Sequence, residues 1–291
     1  AAEALIHPSP LPSETFRLFR RTFVLVQKTD DMEYCMATLI TGASSGIGEE
    51  FAHHYAAEKH DLVLVARSED KLNTLADTLR GQHGVQVTVI ALDLSEPDAA
   101  QRLWEETNRA RLEIDVLVNN AGFGTHGDVA DDNPDRLEQE VRLNCLTLTG
   151  LTARYLPAMR ERKTGTIINI ASTAAFQPLP HMAVYGATKA FVLSFTEALW
   201  AETRKDGIRV LAVCPGPTDT SFFEIAGESA AVGKMRSTRQ LLESTLQALK
   251  TTKPSFVDGL GNAVVARLVT RVVPKRAVMA IVDQAFQRQR S

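Results

Sequence analysis

From Ala37 onward, short and almost wholly apolar runs alternate with amphipathic stretches, and this alternation narrows the possible folds more than any other feature. The apolar runs at Thr38–Thr41, Asp61–Ala66, Val85–Leu92, Asp115–Val118, Thr166–Ala171 and Ile208–Val213 are predicted strands. Between them, helices are expected over Gly48–Lys59, from a Ser68 cap to Gly81 and Gly84, after the capping-box-like Ser95-Glu-Pro-Asp98, from near Pro134, and over Met182–Arg204. Strands this apolar are buried on both faces, so the sheet is parallel and doubly wound, an α/β fold. In such sheets ligands bind beyond the C-terminal strand ends. Those ends are 41–48, 66–68, 93, 119–122, 171–173 and 214–218. With no internal repeat or low-complexity linker, one domain is expected over 37–291.

The 291 residues carry a net charge of −3, which leaves no face-wide basic excess for nucleic acid. Cys35, Cys145 and Cys214 lie far apart and match no metal spacing; such a sparse set points to structural thiols in a reducing compartment, hence a cytoplasmic location. No apolar run has the length of a membrane span, so stable membrane insertion is not expected. Residues 1–36 read as an N-terminal extension, disordered or artefactual: a tag remnant or a misassigned start before Met32 or Met36. Arg17, Arg20 and Arg21 half fit a transit peptide, but Glu3, Glu14, Asp30 and Asp31 dilute that pattern.

Thr41-Gly-Ala-Ser-Ser-Gly-Ile-Gly48 stands between a strand and a helix, the setting that gives a glycine-rich turn its meaning and marks a Rossmann-type single domain. Gly42 permits the tight turn, Gly46 lets backbone approach a pyrophosphate, and Gly48 lets helix pack closely on strand. Ser44, Ser45 and Ile47 lie on the same turn, ahead of a helix N-terminus whose unpaired N–H groups attract phosphate. The second strand ends Val65-Ala66-Arg67-Ser68. With no carboxylate to hold a ribose 2′-hydroxyl, and with Arg67 and Ser68 able to grip a 2′-phosphate, the cofactor is expected to be NADP(H). Asp93, followed by Leu94, is placed to accept from the adenine amine or to cap the turn before Ser95. Asn119-Asn120-Ala121-Gly122 offers a small, amide-bearing turn for backbone running against the adenosine.

Tyr185 and Lys189 are four apart in a helical stretch and so share a face. An ammonium beside the phenol is expected to lower its pKa from near 10, letting Tyr185 exchange a proton near neutrality. Ser172 follows a strand end thirteen residues earlier, where its hydroxyl can hold a substrate oxygen.

Together these segments resemble the short-chain dehydrogenase/reductase family. The turn at 41–48 looks like its cofactor turn, 119–122 its Asn-Asn-Ala-Gly segment, and Tyr185-Gly-Ala-Thr-Lys189 its Tyr-x-x-x-Lys signature. The resemblance implies that Ser172, Tyr185, Lys189 and Asn144 are catalytic. It also implies that the lysine holds the nicotinamide ribose, and that the asparagine anchors a water in a proton relay. Pro215-Gly216 with Thr218, and Thr220 beyond, resembles the segment lining the nicotinamide. The implied activity is interconversion of a ketone or aldehyde and an alcohol, with no metal. The resemblance spans about 37–220 and weakens beyond. A non-catalytic NADP-binding regulator, or an epimerase or dehydratase, would share the cofactor turn. The full set of four catalytic residues argues against the first, and the short C-terminal remainder against the second.

Pocket walls are expected from Phe123, Thr125 and His126, from Ala174, Phe176, His181 and Met182, and from about 217–236, where Phe222, Phe223, Ile225 and Met235 mix with glycines. That last segment suits a lid or an ordinary packed loop. Its aromatics favour an apolar carbonyl compound, such as a ketosteroid, acyl ketone or xenobiotic. The tail over about 260–290 is basic and amphipathic, able to lie on a membrane, its own domain or a sister subunit. A homodimer or homotetramer is expected through helices at 134–162 and 182–204, as in family members.

Overall fold

The computed structural model describes residues 35–220, 235–269 and 272–290. Seven parallel strands form one sheet in the order β3-β2-β1-β4-β5-β6-β7. They are β1 (Cys35–Thr41), β2 (Asp61–Ala66), β3 (Val87–Ala91), β4 (Leu112–Asn119), β5 (Gly165–Ile170), β6 (Ile208–Cys214) and β7 (Ser255–Val257). Leu39, Val63, Leu64, Leu117, Ile167, Val210 and Leu211 are wholly buried, as strands covered on both faces must be. The winding reverses between β1 and β4, and the crevice above those two strand ends holds the site.

One face is covered by α1 (Gly46–Ala57), α2 (Glu69–His83) and, beside them, α7 (Thr238–Leu249). The other face is covered by α3 (Ala99–Arg109), a long helix in three pieces, and α6 (Ala183–Thr203). The long helix begins as α4 (Pro134–Val141), with Asn133 capping Asp135 N–H at 2.9 Å and Pro134 in the first turn. It widens into a π turn over Arg142–Thr147 and continues as α5 (Leu148–Arg162). The tail comprises α8 (Leu260–Val264), a π turn over Val265–Val269, and α9 (Lys275–Arg290) after Pro274. Contacts gather the described residues into one unit.

Several expectations are corrected. Ser95–Asp98 forms no capping box: α3 starts at Ala99 behind Asp98 in the left-handed region, while Ser95 donates N–H and O–H to Asp93. Gly81 lies within α2, which ends at Gly84 with φ near +70°. β7 and α7 had no counterpart in the pattern. His53 and His54 are half-buried on α1. Residues 1–34 and 221–234, with Phe222, Phe223 and Ile225, lie outside the described residues. Among the described residues, no helix is long and apolar enough to cross a membrane, and no group of His, Cys, Asp and Glu could hold a metal.

Candidate active site

A cavity of about 650 Å³ opens above the C-terminal ends of the strands. At one end lies the glycine-rich turn, with Gly42, Ser44, Ser45, Gly46 and Ile47 on its wall. Gly42 and Gly46 take φ near +65° and +61°, values that L side chains rarely adopt. Gly48 does not reach the cavity. A Cβ there would stand 2.2 Å from Gly42 O, so it is the residue that lets α1 sit against β1.

The Asn-Asn-Ala-Gly turn is tied to that of β1. Thr41 Oγ1 accepts from Asn120 N–H at 2.9 Å and Ala121 N–H at 3.0 Å, and donates to Val118 O at 3.2 Å. Asn120 Nδ2 donates to Thr41 O at 2.9 Å and Gly42 O at 3.2 Å. The Asn120 side chain therefore shapes the turn, and Asn120, Ala121 and Gly122 all line the cavity. Asn119 is buried instead, donating to Asn169 Oδ1 at 2.9 Å, and Asn169 donates on to Thr196 Oγ1 of α6 at 2.9 Å. This polar ladder fixes α6 against β4 and β5.

Ala66, Arg67 and Ser68 line the adjacent wall with Asp93 and Leu94. The Arg67 side chain is 65% exposed and approaches Asp93 only to 4.0 Å. Asp93 uses Oδ1 to accept from Ser95, the turn cap expected of it.

At the other end stand Ser172, Tyr185 and Lys189. Ser172 follows β5, caps the 3₁₀ turn Thr173–Phe176 by accepting from Ala174 N–H at 3.1 Å, and hydrogen-bonds the Tyr185 phenol. Lys189 is buried, donates to Ile170 O at 2.8 Å, and lies 5.8 Å from the Tyr185 ring centre. The electrostatics correct the expectation drawn from spacing alone. Burial pushes the Tyr185 phenol up to about 12, with the Ser172 hydrogen bond pulling the other way. Burial likewise pulls Lys189 down to about 8, against the raising influence of Cys145, Glu140 and Cys214. Loss of hydration dominates both shifts because both groups leave water together. At neutral pH the phenol is a proton donor.

Asn144 sits in the π turn behind the cavity wall. It donates to Phe123 O at 2.8 Å and Thr188 Oγ1 at 3.0 Å, and accepts from Phe123 N–H at 3.2 Å. Thr188 in turn donates to Tyr185 O at 2.8 Å, so Asn144 links the turn after β4 to the helix bearing Tyr185 and Lys189. π turns of this kind recur at functional sites because the extra residue re-aims side chains.

Pro215, Gly216, Thr218 and Thr220 also line the cavity, and a bridge pairs Thr218 with Arg236. Gly216 leaves room for the tail, since a Cβ there would meet Asn262 Nδ2 at 2.2 Å and the Asn262 side chain would have to shift. The sequence reasoning missed the tail's part in the cavity: Asn262, Val265, Ala266, Ile281 and Val282 line it. Of the expected pocket residues, Phe123, Ala174 and Met182 line the cavity, whereas Thr125, His126, Phe176 and His181 do not. His181 instead binds Asp128 at 2.5 Å and Asp283 of α9 at 2.7 Å, joining the tail to the loop ahead of Tyr185.

The profile of the short chain dehydrogenase family matches residues 36–230. The chain belongs to that family. It is 35% identical over 191 residues to a very-long-chain 3-oxoacyl-CoA reductase of Mus musculus, a match covering 64% of this chain and 61% of the relative. Among solved structures it is similar to a short-chain dehydrogenase from Sphingobium yanoikuyae in complex with NADPH (33% identity, TM-score 0.74, covering 84% of this chain and 95% of that one). It is also similar to the bulky-bulky ketone specific alcohol dehydrogenase from Comamonas testosteroni (30% identity, TM-score 0.68, covering 88% and 93%). The family is one of oxidoreductases, and its fold binds a nicotinamide cofactor.

Proposed function

We propose that this protein is an NADP(H)-dependent reductase of apolar ketones or aldehydes, running in reverse as an alcohol dehydrogenase. The observation that carries this reading is the Ser172–Tyr185 hydrogen bond at the wall of a cavity continuous with the glycine-rich turn. The residues fit the cofactor: the turn offers backbone and a helix N-terminus to a pyrophosphate, and Lys189, on the wall of the same cavity, would hold the nicotinamide ribose as the family resemblance implies. When bound, the reduced nicotinamide supplies the hydride to the carbonyl carbon. Ser172 and Tyr185 orient the carbonyl oxygen, and Tyr185 passes its proton to that oxygen as charge develops there. Lys189, as an ammonium, favours the phenolate left behind, which regains its proton from solvent.

The choice of NADP(H) over NAD(H) rests on Arg67 and on the uncharged Ala66. Arg67→Ala should weaken NADPH binding and leave NADH binding unchanged, because only the former carries a 2′-phosphate. Adding Ala66→Asp should turn the preference toward NADH. Titration of both cofactors reads the result directly, and a wild-type protein that prefers NADH sinks the assignment.

The apolar substrate class is supported by Leu143, Leu179, Met182, Val265, Ile281 and Val282 on the cavity wall. The bulky ketone named for the Comamonas enzyme and the long acyl chain named for the mouse relative point the same way. A panel pairing bulky apolar ketones with small polar ones tests it, and preference for the polar set overturns it.

Assembly as a homodimer or homotetramer is part of the same reading. Val141, Leu146 and Phe191 are exposed on the long helix and α6, where a two-fold contact would bury each twice. Light scattering at micromolar concentration should give at least twice the chain mass; a monomer refutes the assembly.

A further inference from the structure

Glu140 is a carboxylic acid with no access to solvent, on α4 one turn ahead of Asn144. Acidic side chains are almost never fully buried without a compensating partner. Its Oε2 accepts from Thr125 N–H at 3.0 Å and from Thr125 Oγ1 at 2.8 Å. Its Oε1 is buried without a hydrogen-bond partner among the described residues. Four residues on, Asn144 holds both backbone groups of Phe123. Glu140 and Asn144 thus grip one short segment, 123–125, whose Phe123 lines the cavity.

The charged and titratable groups facing this carboxyl come from three neighbouring elements. Lys189 and Tyr185 come from α6, Cys145 from the π turn, and Asp132 from the loop ahead of α4. Lys189 is the cation among them, and it faces the thiols of Cys145 and Cys214 besides. Burial pushes the Cys145 thiol up to about 11 and the Cys214 thiol up to about 12, so both are neutral near pH 7. Burial raises Glu140 to about 7, with the Thr125 hydrogen bonds and Lys189 acting against that rise.

We propose that Glu140 is a positioning residue of the reaction, clamping the cavity wall through Thr125 and, once ionised above neutral pH, acting as a buried counter-charge to the Lys189 ammonium. The proposal rests on the reductase reading for its kinetic arm only. The two halves of the role separate by substitution. Glu140→Gln keeps an oxygen to accept from Thr125 and removes the charge. Thr125→Val keeps the charge and the backbone N–H but removes one of the two clamping bonds.

The sign of the charge effect is fixed by electrostatics. An ionised Glu140 raises the pKa of Lys189 and that of Tyr185 alike. Without it, both groups lose their protons at lower pH, so the alkaline limb of ketone reduction moves toward acid.

The test follows Lys189 by carbon NMR on protein labelled at lysine, its resonance assigned by the loss seen in Lys189→Met. Melting curves show that each variant is folded. In Glu140→Gln, Lys189 should titrate lower by on the order of one pH unit, the size of shift a single nearby charge produces. The alkaline limb of kcat/KM with NADPH and a bulky apolar ketone should move in the same direction, with KM for the ketone within about twofold of wild type. In Thr125→Val, KM should rise while the Lys189 titration and the limb stay in place. An unchanged Lys189 titration in Glu140→Gln overturns the counter-charge role, and an unchanged KM in Thr125→Val overturns the clamp. A wild-type protein that reduces no ketone defeats the reductase reading instead, and the NMR titration still decides the role of Glu140.

Discussion

Tyr185→Phe should leave the fold and NADPH binding intact while turnover of the best ketone falls by about 10²–10⁴-fold, the range general acid–base catalysis supplies. The substitution deletes one hydroxyl and keeps the ring that packs with Leu179, Met182 and Val282. What disappears is the proton donor that Ser172 holds at the cavity wall. The developing alkoxide then has no acid to neutralise it, and the Ser172 hydroxyl alone cannot replace that electrostatic support. Lys189→Ala should differ in kind. Lys189 is tied to Ile170 O at the end of β5 and faces the cavity, so its loss should weaken cofactor binding as well as rate. Single-turnover rates and cofactor titrations on the two variants separate these roles. Near wild-type reduction by Tyr185→Phe would contradict the chemistry assigned to this site.

Gly48→Ala should be the most damaging single methyl in the cofactor half of the molecule. The added Cβ would stand 2.2 Å from Gly42 O and 2.7 Å from Asn120 Nδ2. Relief requires α1 to lift from β1, or the Asn120 side chain to leave the carbonyls of Thr41 and Gly42 that it holds. Overpacking of this kind costs typically about 1–3 kcal/mol. For a chain of this size that corresponds to a fall in Tm of roughly 2–12 °C, at about 2–4 °C per kcal/mol. NADPH affinity should fall by about tenfold or more, since a misplacement worth only 1.4 kcal/mol at the phosphate cradle suffices for that factor. Gly81→Ala is the control: a Cβ there meets nothing within 4 Å, so Tm should stay level or rise. Thermal melts and cofactor titration on both variants check the contrast, and equal effects would contradict the account of the turn.

The apolar strands were legible because burial on both faces leaves a continuous run: β2 has the expected bounds, Asp61–Ala66. β7 was not, because Ser255-Phe-Val257 is three residues long and earns its place only by pairing with β6. The glycine turn, Arg67, Ser172, Tyr185 and Lys189 could be read from spacing after strand ends, and they do meet at one cavity. Spacing carries no information about desolvation, and so the direction of the Tyr185 shift was misjudged. Glu140 escaped notice for a related reason: a charge in an amphipathic helix reads as solvated until the helix is docked. Ile281 and Val282 come to the cavity almost a hundred residues after Tyr185, through contacts such as His181 with Asp283 that no local pattern announces.

The most direct test of the central claim is NADPH consumption by the purified full chain, followed by absorbance with a bulky apolar ketone and run beside an identical assay with NADH. The account predicts ketone-dependent oxidation of NADPH, with formation of the secondary alcohol in equal amount and NADH the poorer donor. No oxidation of either cofactor across bulky ketones, aldehydes and acyl ketones, by a protein that binds NADPH, would contradict it.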